Sequence, residues 1–364
     1  MMNQTIKLPL AEKTSIKNWN FELQLEKAQT SEEDFMHLLP EGAKNAIIIV
    51  DGELVHQSVE DSISIGNAEI SELRTQNGLI DLNIKHKNSS LSVSLGKNSR
   101  PKEALYIFYV AGSRSLVHQT EIILGPGSEL EVVETFLGDA KYNSNILRNI
   151  RLDANSKLNT SVINRLNGST ALYYHSFAEA QSDAVLSSYN FILNDSSMVF
   201  EDFNYMLGNG ANAEVSTVSI ATGEQKHNIT VRIENLASHS IGNIVNYGIT
   251  SDTAHLAFNG IGKIHQGMKG VDNQQETRIL SLSKHSEAVA NPFLLIDEGD
   301  ITAGHAASIG QVNEEQIYYL MSRGMSRQES EKLIASGFLT PFADNIQNNE
   351  LKNELLKVIA EKLG

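Results

Sequence analysis

The stretch His227–Glu234, HNITVRIE, puts Ile229, Val231 and Ile233 on one face and Asn228, Thr230 and Arg232 on the other. That two-residue period marks a half-buried β-strand. Turn residues bracket it, Gly223 before and Ala237-Ser238 after. Working outward, turns recur at 139, 153, 167, 182, 195, 209, 223, 237 and 251, separated by 14, 14, 15, 13, 14, 14, 14 and 14 residues. A strand-plus-turn unit repeated in this way describes either a solenoid or an antiparallel meander, and spacing alone does not separate them. Polar Asn, Ser and Gly turns without longer excursions suit stacked coils. A parallel β-helix is therefore the expectation, with two strands and about 28 residues per coil.

Composition narrows the function classes. The 364 residues exceed the usual single-domain size and fit either several domains or one elongated repeat. A net charge of -15, from 44 acidic and 29 basic residues, argues against a surface that tracks phosphates. No nucleic-acid partner is expected. No window reaches the roughly 18 consecutive apolar residues of a membrane span. The start, MMNQTIKLPLAEKTSIKNWN, lacks the charged start and apolar run of a secretory signal, so no membrane association and a cytoplasmic location are expected. Cysteine is absent. The chain can thus supply no thiolate nucleophile, thiolate zinc site or cysteine ligand to an iron–sulfur cluster.

Before the repeats, Thr30 and Glu33 stand at capping-box spacing ahead of Phe35, Met36, Leu38 and Leu39, which predicts a helix ending at Pro40 and Gly42. Ala46–Val50 followed by Asp51-Gly52 reads as a strand entering a hairpin. Residues 1–85 are read as a mixed helical and strand cap, 86–310 as the β-helix and 311–364 as a helical domain. In the last, Asn313 is an N-cap with Gln316 three residues on, Ser326 and Glu329 form a second capping box, and Thr340-Pro341 could open a further helix. A final stripe is Leu351, Leu355, Val358 and Ile359. The simplest reading of these stripes is a small bundle with its own core.

The candidate chemistry is sparse. His305 lies in a small-residue turn after Asp297, Glu298 and Asp300, a weak metal or proton-transfer signal, since imidazole and carboxylate suit borderline metals. Asp195, Glu201 and Asp202 are close enough in sequence to be considered as a glycosidase-like carboxylate set. A solenoid enzyme acting on a sugar or anionic ligand is accordingly the alternative reading. No nucleophile elbow is present. The segment GIGKIHQGMKG, with Lys263, His265 and Lys269, lacks the spacing of a phosphate cradle.

One resemblance carries more. From Phe293 onward, a strand, acidic residues and then GHAASIGQVNEEQIYYLMSRGMS resemble the C-terminal signature of the SufB and SufD family of iron–sulfur cluster assembly proteins, through His305, Ala306, Ser308, Ile309, Gly310, Glu314, Glu315, Gln316, Tyr319, Ser322, Arg323 and Gly324. Ala257–Gly262, AFNGIG, and Gln274–Ser283, QQETRILSLS, resemble two further family segments, and ELEVVETFLG at 129–138 a third. Without cysteine the likeness is greatest to the SufD branch, and Ala303 stands where many of its members carry a cysteine. The resemblance implies a right-handed parallel β-helix between helical ends and a non-enzymatic scaffold subunit. It also implies pairing with a SufB-like paralogue through the last coils and binding of a SufC-like ATPase through the C-terminal helices. Gln316, Tyr318, Tyr319, Arg323 and Phe338 are then the expected partner-binding residues, and His305 the expected metal contact. No firmly bound cofactor is expected, only iron or a nascent cluster at the interface with SufB. Exposed end coils would also let the isolated chain form a homodimer.

Overall fold

The computed structural model describes residues 2–6, 19–25, 35–71, 73–75, 77–139, 141–168, 171–343 and 349–363. Its strands are β1 (Met2–Ile6), β2 (Trp19–Leu23), β3 (Asn45–Val50), β4 (Glu53–Ser58), β5 (Ile63–Gly66), β6 (Ser89–Leu95), β7 (Leu105–Val110), β8 (Val117–Leu124), β9 (Glu129–Asp139), β10 (Ser144–Leu152) and β11 (Lys157–Asn167). They continue as β12 (Ala171–Ala180), β13 (Val185–Ile192), β14 (Ser197–Met206), β15 (Asn212–Ala221), β16 (Lys226–Asn235), β17 (Ile241–Thr250), β18 (His255–Ile264), β19 (Val271–Ser281), β20 (Glu287–Ile296) and β21 (Ile301–Gln311). The helices are α1 (Gly78–His86), α2 (Glu314–Ser322), α3 (Arg327–Ala343) and α4 (Asn349–Lys362).

From β6 onward successive strands alternate between two sheets, ordered β20-β18-β16-β14-β12-β10-β8-β6-β5 and β21-β19-β17-β15-β13-β11-β9-β7-β3-β4. Stacked neighbours run parallel, as β10 does on β12 and β11 on β13. This is a parallel solenoid of about eight turns, not a meander. Glu129 pairs with Lys157 and Lys157 with Val185, the expected 28-residue rung. Later rungs widen to offsets of 30 at Val271/Ile301 and 32 at His255/Glu287, which is why the sequence period fades after residue 251 while the coils continue. Parallel pairing within the coil begins at Asn45, where β3 lies on β7, while β1 and β2 form a separate antiparallel pair.

One corner of seven successive rungs turns through left-handed backbone. Asn98, Asn155, Asp183 and His239 have φ of 57°, 59°, 56° and 58°, and glycines 127, 210 and 270 take the same place in the other three. Their amides bond to the next corner down the stack, Asn155 N–H to Ser182 O and Asp183 N–H to Asn209 O. Asn, Asp and Gly tolerate this conformation, which explains the polar turn composition. A different turn constraint sits at Gly138, with φ +110° and a notional Cβ only 2.2 Å from Ala111 O. Gly138→Ala is expected to cost about 1–3 kcal/mol through overpacking against backbone. Urea unfolding would test this, and a loss below about 0.5 kcal/mol would mean that the rungs can shift apart.

The apolar core runs inside the coil and includes Ile107, Phe136, Tyr174, Phe200, Ile229, Val231, Ile233 and Phe258. The inward face read from HNITVRIE is therefore the observed one. Asp51, with φ 47°, and Gly52, with φ 85°, form the expected hairpin between β3 and β4. The proposed cap at Thr30 and Glu33 lies outside the described residues. Met36–Leu38 is a 3-10 turn rather than part of an α-helix, because Pro40 holds Leu39 extended.

Asn313 caps α2 through Glu315 N–H at 2.8 Å, and Ser326 and Glu329 form the reciprocal box at the start of α3. Pro341 does not open a helix: it sits within the last turn of α3. The residue four positions earlier is Gly337, whose lack of a side chain eases the crowding around the ring. Nor do the helices bury their stripes only against each other. Ala335, Leu339 and Phe342 of α3 and Val358 and Ile359 of α4 pack on Phe191, Val218, Tyr247 and Ile249, the outer face of the odd-numbered sheet. The stripe shows that one face is apolar but not what covers it.

Candidate functional site at the open end of the solenoid

The two ends of the coil differ. At the first rungs, β4 and β5 are the terminal strands of the two sheets and run antiparallel to their neighbours. At the other end β20 and β21 are the last strands among the described residues, with an unpaired edge each. Ile309 stacks in register on the buried Ile279, and Ile296 on the buried Ile264, yet they are 50% and 40% exposed. The apolar column of the core thus reaches the surface here. Tyr318, 76% exposed, and Tyr319, 57% exposed, extend this surface onto α2. An open strand edge joined to exposed apolar side chains is the kind of surface on which another chain can pair.

His305 is in this last rung, paired in register with Gln275. It belongs to the inward column Val215, Ile244, Gln275, His305, and its side chain is exposed. The acids before it do not converge on it. Glu298 accepts backbone N–H bonds from Gly267 and Gly299, each within 2.9 Å, and these hold its carboxyl below the usual range. No group of three His, Asp or Glu side chains able to hold a metal occurs among the described residues.

The other expected residues are placed as follows. Gln316, Tyr318 and Tyr319 are exposed on α2, and Arg323 stacks over the Tyr319 ring at 5.2 Å. Phe338 is half-buried against Tyr247, ring centroids 5.3 Å apart, so it fastens α3 to the coil. Glu201 and Asp202 are adjacent residues on opposite faces of β14 and share no pocket. Asp202 stacks between Ser176 and Val231 inside the coil, whereas Glu201 faces outward toward Asn77. Burial pushes the Glu201 carboxyl up, but bonds from His175, Tyr173 and Asn77 outweigh it and leave it below its ordinary value. Asp195 is an exposed corner residue that pairs with Lys362 of α4. His265 and Lys263 surround Glu234 at 2.8 and 3.7 Å, a structural ion cluster on the outer surface.

The interior holds polar groups that the sequence did not announce. Arg148 and Glu134, each 1% exposed, pair at 2.7 Å inside the coil. Tyr109 donates to Glu134 at 3.2 Å and shares a bond with Thr120 at 2.9 Å, while Arg148 bonds to Thr160. Burial lifts the Glu134 carboxyl, and Arg148 and Tyr109 oppose the lift.

A family model described as the SUF system FeS cluster assembly, SufBD core domain, matches residues 108–338, which spans the coil from β7 through α2 and into α3. The chain belongs to the SufBD family. This SufBD chain is 33% identical over 269 residues to the iron–sulfur cluster assembly protein SufD of Bacillus subtilis (strain 168), an alignment covering 72% of this chain and 61% of that protein. It is 23% identical over 334 residues to the SufD of Escherichia coli (strain K12), covering 87% and 79%. It is 28% identical over 141 residues to an iron–sulfur cluster assembly SufBD family protein of Staphylococcus epidermidis (strain ATCC 12228 / FDA PCI 1200), covering 39% and 30%. The open end, His305 and α2 all fall inside the matched SufBD core. No helix among the described residues is long and apolar enough to cross a membrane.

Proposed function

We propose that this chain is a SufD-like, non-enzymatic subunit of a scaffold that assembles iron–sulfur clusters. The observation that carries the reading is the open last rung, where His305, bare strand edges and exposed core aliphatics lie together in a chain of the SufBD family. A cysteine-bearing SufB-like chain pairs with β20 and β21. A SufC-like ATPase binds at Gln316, Tyr318, Tyr319 and Arg323. The SufD names of the two relatives and the absence of cysteine favour this branch.

Iron or the nascent cluster is the cargo. One imidazole cannot hold it, so His305 supplies a single nitrogen and the mating chain the sulfur ligands. Work done by the ATPase on α2 and α3 passes through Phe338 and Phe342 to Tyr247 in β17, and through the Arg278 guanidinium over the Tyr247 ring to β19. That path ends one strand from His305. The cellular setting that fits such a scaffold is the cytoplasm.

Affinity purification of the tagged chain from its own cells is expected to recover an ATPase and a cysteine-bearing paralogue in stable proportion. Recovery of a lone chain that degrades a sugar would favour the solenoid-enzyme alternative instead. His305→Ala is expected to reduce cluster assembly in cells while leaving the complex intact, and an unchanged yield would reject its metal role. Light scattering on the isolated chain should give a dimer at micromolar concentration.

A further inference from the structure

Just below the open end, the apolar filling of the coil gives way to amides. Gly260 and Gly262 follow Leu256 and Phe258 at inward positions of β18, and Asn273, Gln275 and Thr277 precede Ile279 at inward positions of β19. A Cβ at residue 260 would stand 2.9 Å from Gln275 Oε1, and one at residue 262 would stand 2.7 Å from Gln275 Nε2. The two glycines therefore form a slot in which the Gln275 amide crosses the interior. Its Nε2 donates to the Phe293 carbonyl of β20 at 3.0 Å, which fixes the orientation of the amide. Its Oε1 is buried and has no hydrogen-bond partner.

The inward position stacked on Gln275 is His305, about one strand spacing of 4.8 Å away. Ala303 and Ala307, on either side of it along the same face of β21, carry no donor. The imidazole N–H is thus the side-chain donor in the last rung placed to reach the orphan oxygen. A buried carbonyl without a partner is costly, and a rotation about the Cα–Cβ bond of the exposed His305 side chain would supply one.

We propose that Gln275 is a positioning residue for His305, its Oε1 accepting one ring N–H and so leaving the lone pair of the other ring nitrogen directed out of the open end. Histidines that ligate metals commonly have their second nitrogen held by a carbonyl or carboxylate in this way. The inference rests on the reading of His305 as a contact for the cluster or its iron, but its test does not require assembly activity.

The full chain labelled with 15N-histidine is examined by NMR above pH 8, where the free imidazole is neutral, with the His305 signals assigned by their loss in His305→Ala. One dominant tautomer is expected in the unaltered chain. Gln275→Met, which keeps the length and removes the acceptor, is expected to abolish that dominance and give a mixture of both tautomers. Gln275→Asn, which keeps an amide but withdraws it by one methylene, should do the same, and it covers the case in which the Met variant fails to fold. A mixture in the unaltered chain, or unchanged ring-nitrogen shifts in a folded variant, would overturn the proposal. Normal cluster assembly by His305→Ala would sink the metal reading instead and leave the tautomer result standing.

Discussion

Replacing Arg148 with methionine is expected to destabilise the folded chain by about 3–5 kcal/mol. The guanidinium and the Glu134 carboxylate are each 1% exposed and 2.7 Å apart, with Thr160 and Tyr109 satisfying further hydrogen-bonding positions. Removing the cation strands a carboxylate in the low-dielectric interior, where it must either stay charged at high cost or take up a proton. Arg148→Met combined with Glu134→Leu should recover much of the loss, because apolar pairs of similar volume often replace buried ion pairs without penalty. Urea midpoints of the single and double variants decide this. A single variant that loses less than about 1 kcal/mol would show that water reaches the pair and screens it.

Acid should weaken the coil well before the ordinary carboxylates titrate. His118 and His227 are fully buried. His118 shares hydrogen bonds with Ser89 and Thr120 at 2.8 and 3.0 Å, and His227 with Ser219 and the Ser196 carbonyl at 2.9 and 3.2 Å. Burial, helped by Lys87 near the first and Lys362 near the second, lowers both from 6.5 to about 3. The unfolded chain therefore binds more protons than the folded one between about pH 3 and 6.5, and stability falls as pH drops through that window. Each histidine contributes a slope of about 1.4 kcal/mol per pH unit, so moving from pH 6.5 to 5 should cost about 3–4 kcal/mol. Glu134 and Asp202, whose carboxyls burial lifts, titrate in the opposite sense and blunt the slope. Stability curves at several pH values for the chain and for His118→Gln/His227→Gln test the assignment. An equally steep fall in the double variant would assign the acid sensitivity to other groups.

Much of the architecture was legible because its signals are local. Alternation in HNITVRIE, the corner residues that accept left-handed backbone and the caps at Asn313 and Ser326/Glu329 each depend on a few neighbouring residues. What stayed hidden depends on rung-to-rung register. Arg148 sits between Ile146 and Ile150 on an inward face, where a charge reads as a break in the pattern until Glu134 is seen across the interior. Gln275 lies inside Gln274–Ser283, one of the segments that resemble the family. Its position under His305 follows only from a 30-residue offset, which the 28-residue period of the earlier rungs does not give. The docking of α3 and α4 on the sheet was equally illegible, since an amphipathic stripe does not name its cover.

The inequality of the two coil ends bears on how many chains can join. Because β4 and β5 run antiparallel to the strands they pair with, the first end of the coil presents strands of opposite direction to those of the last rung. A head-to-tail join would therefore have to form antiparallel ladders at the seam and could not continue the parallel stacking of the coil. A two-fold join of two last rungs would instead pair like edges, and once both were used it would leave none of that kind to extend the assembly.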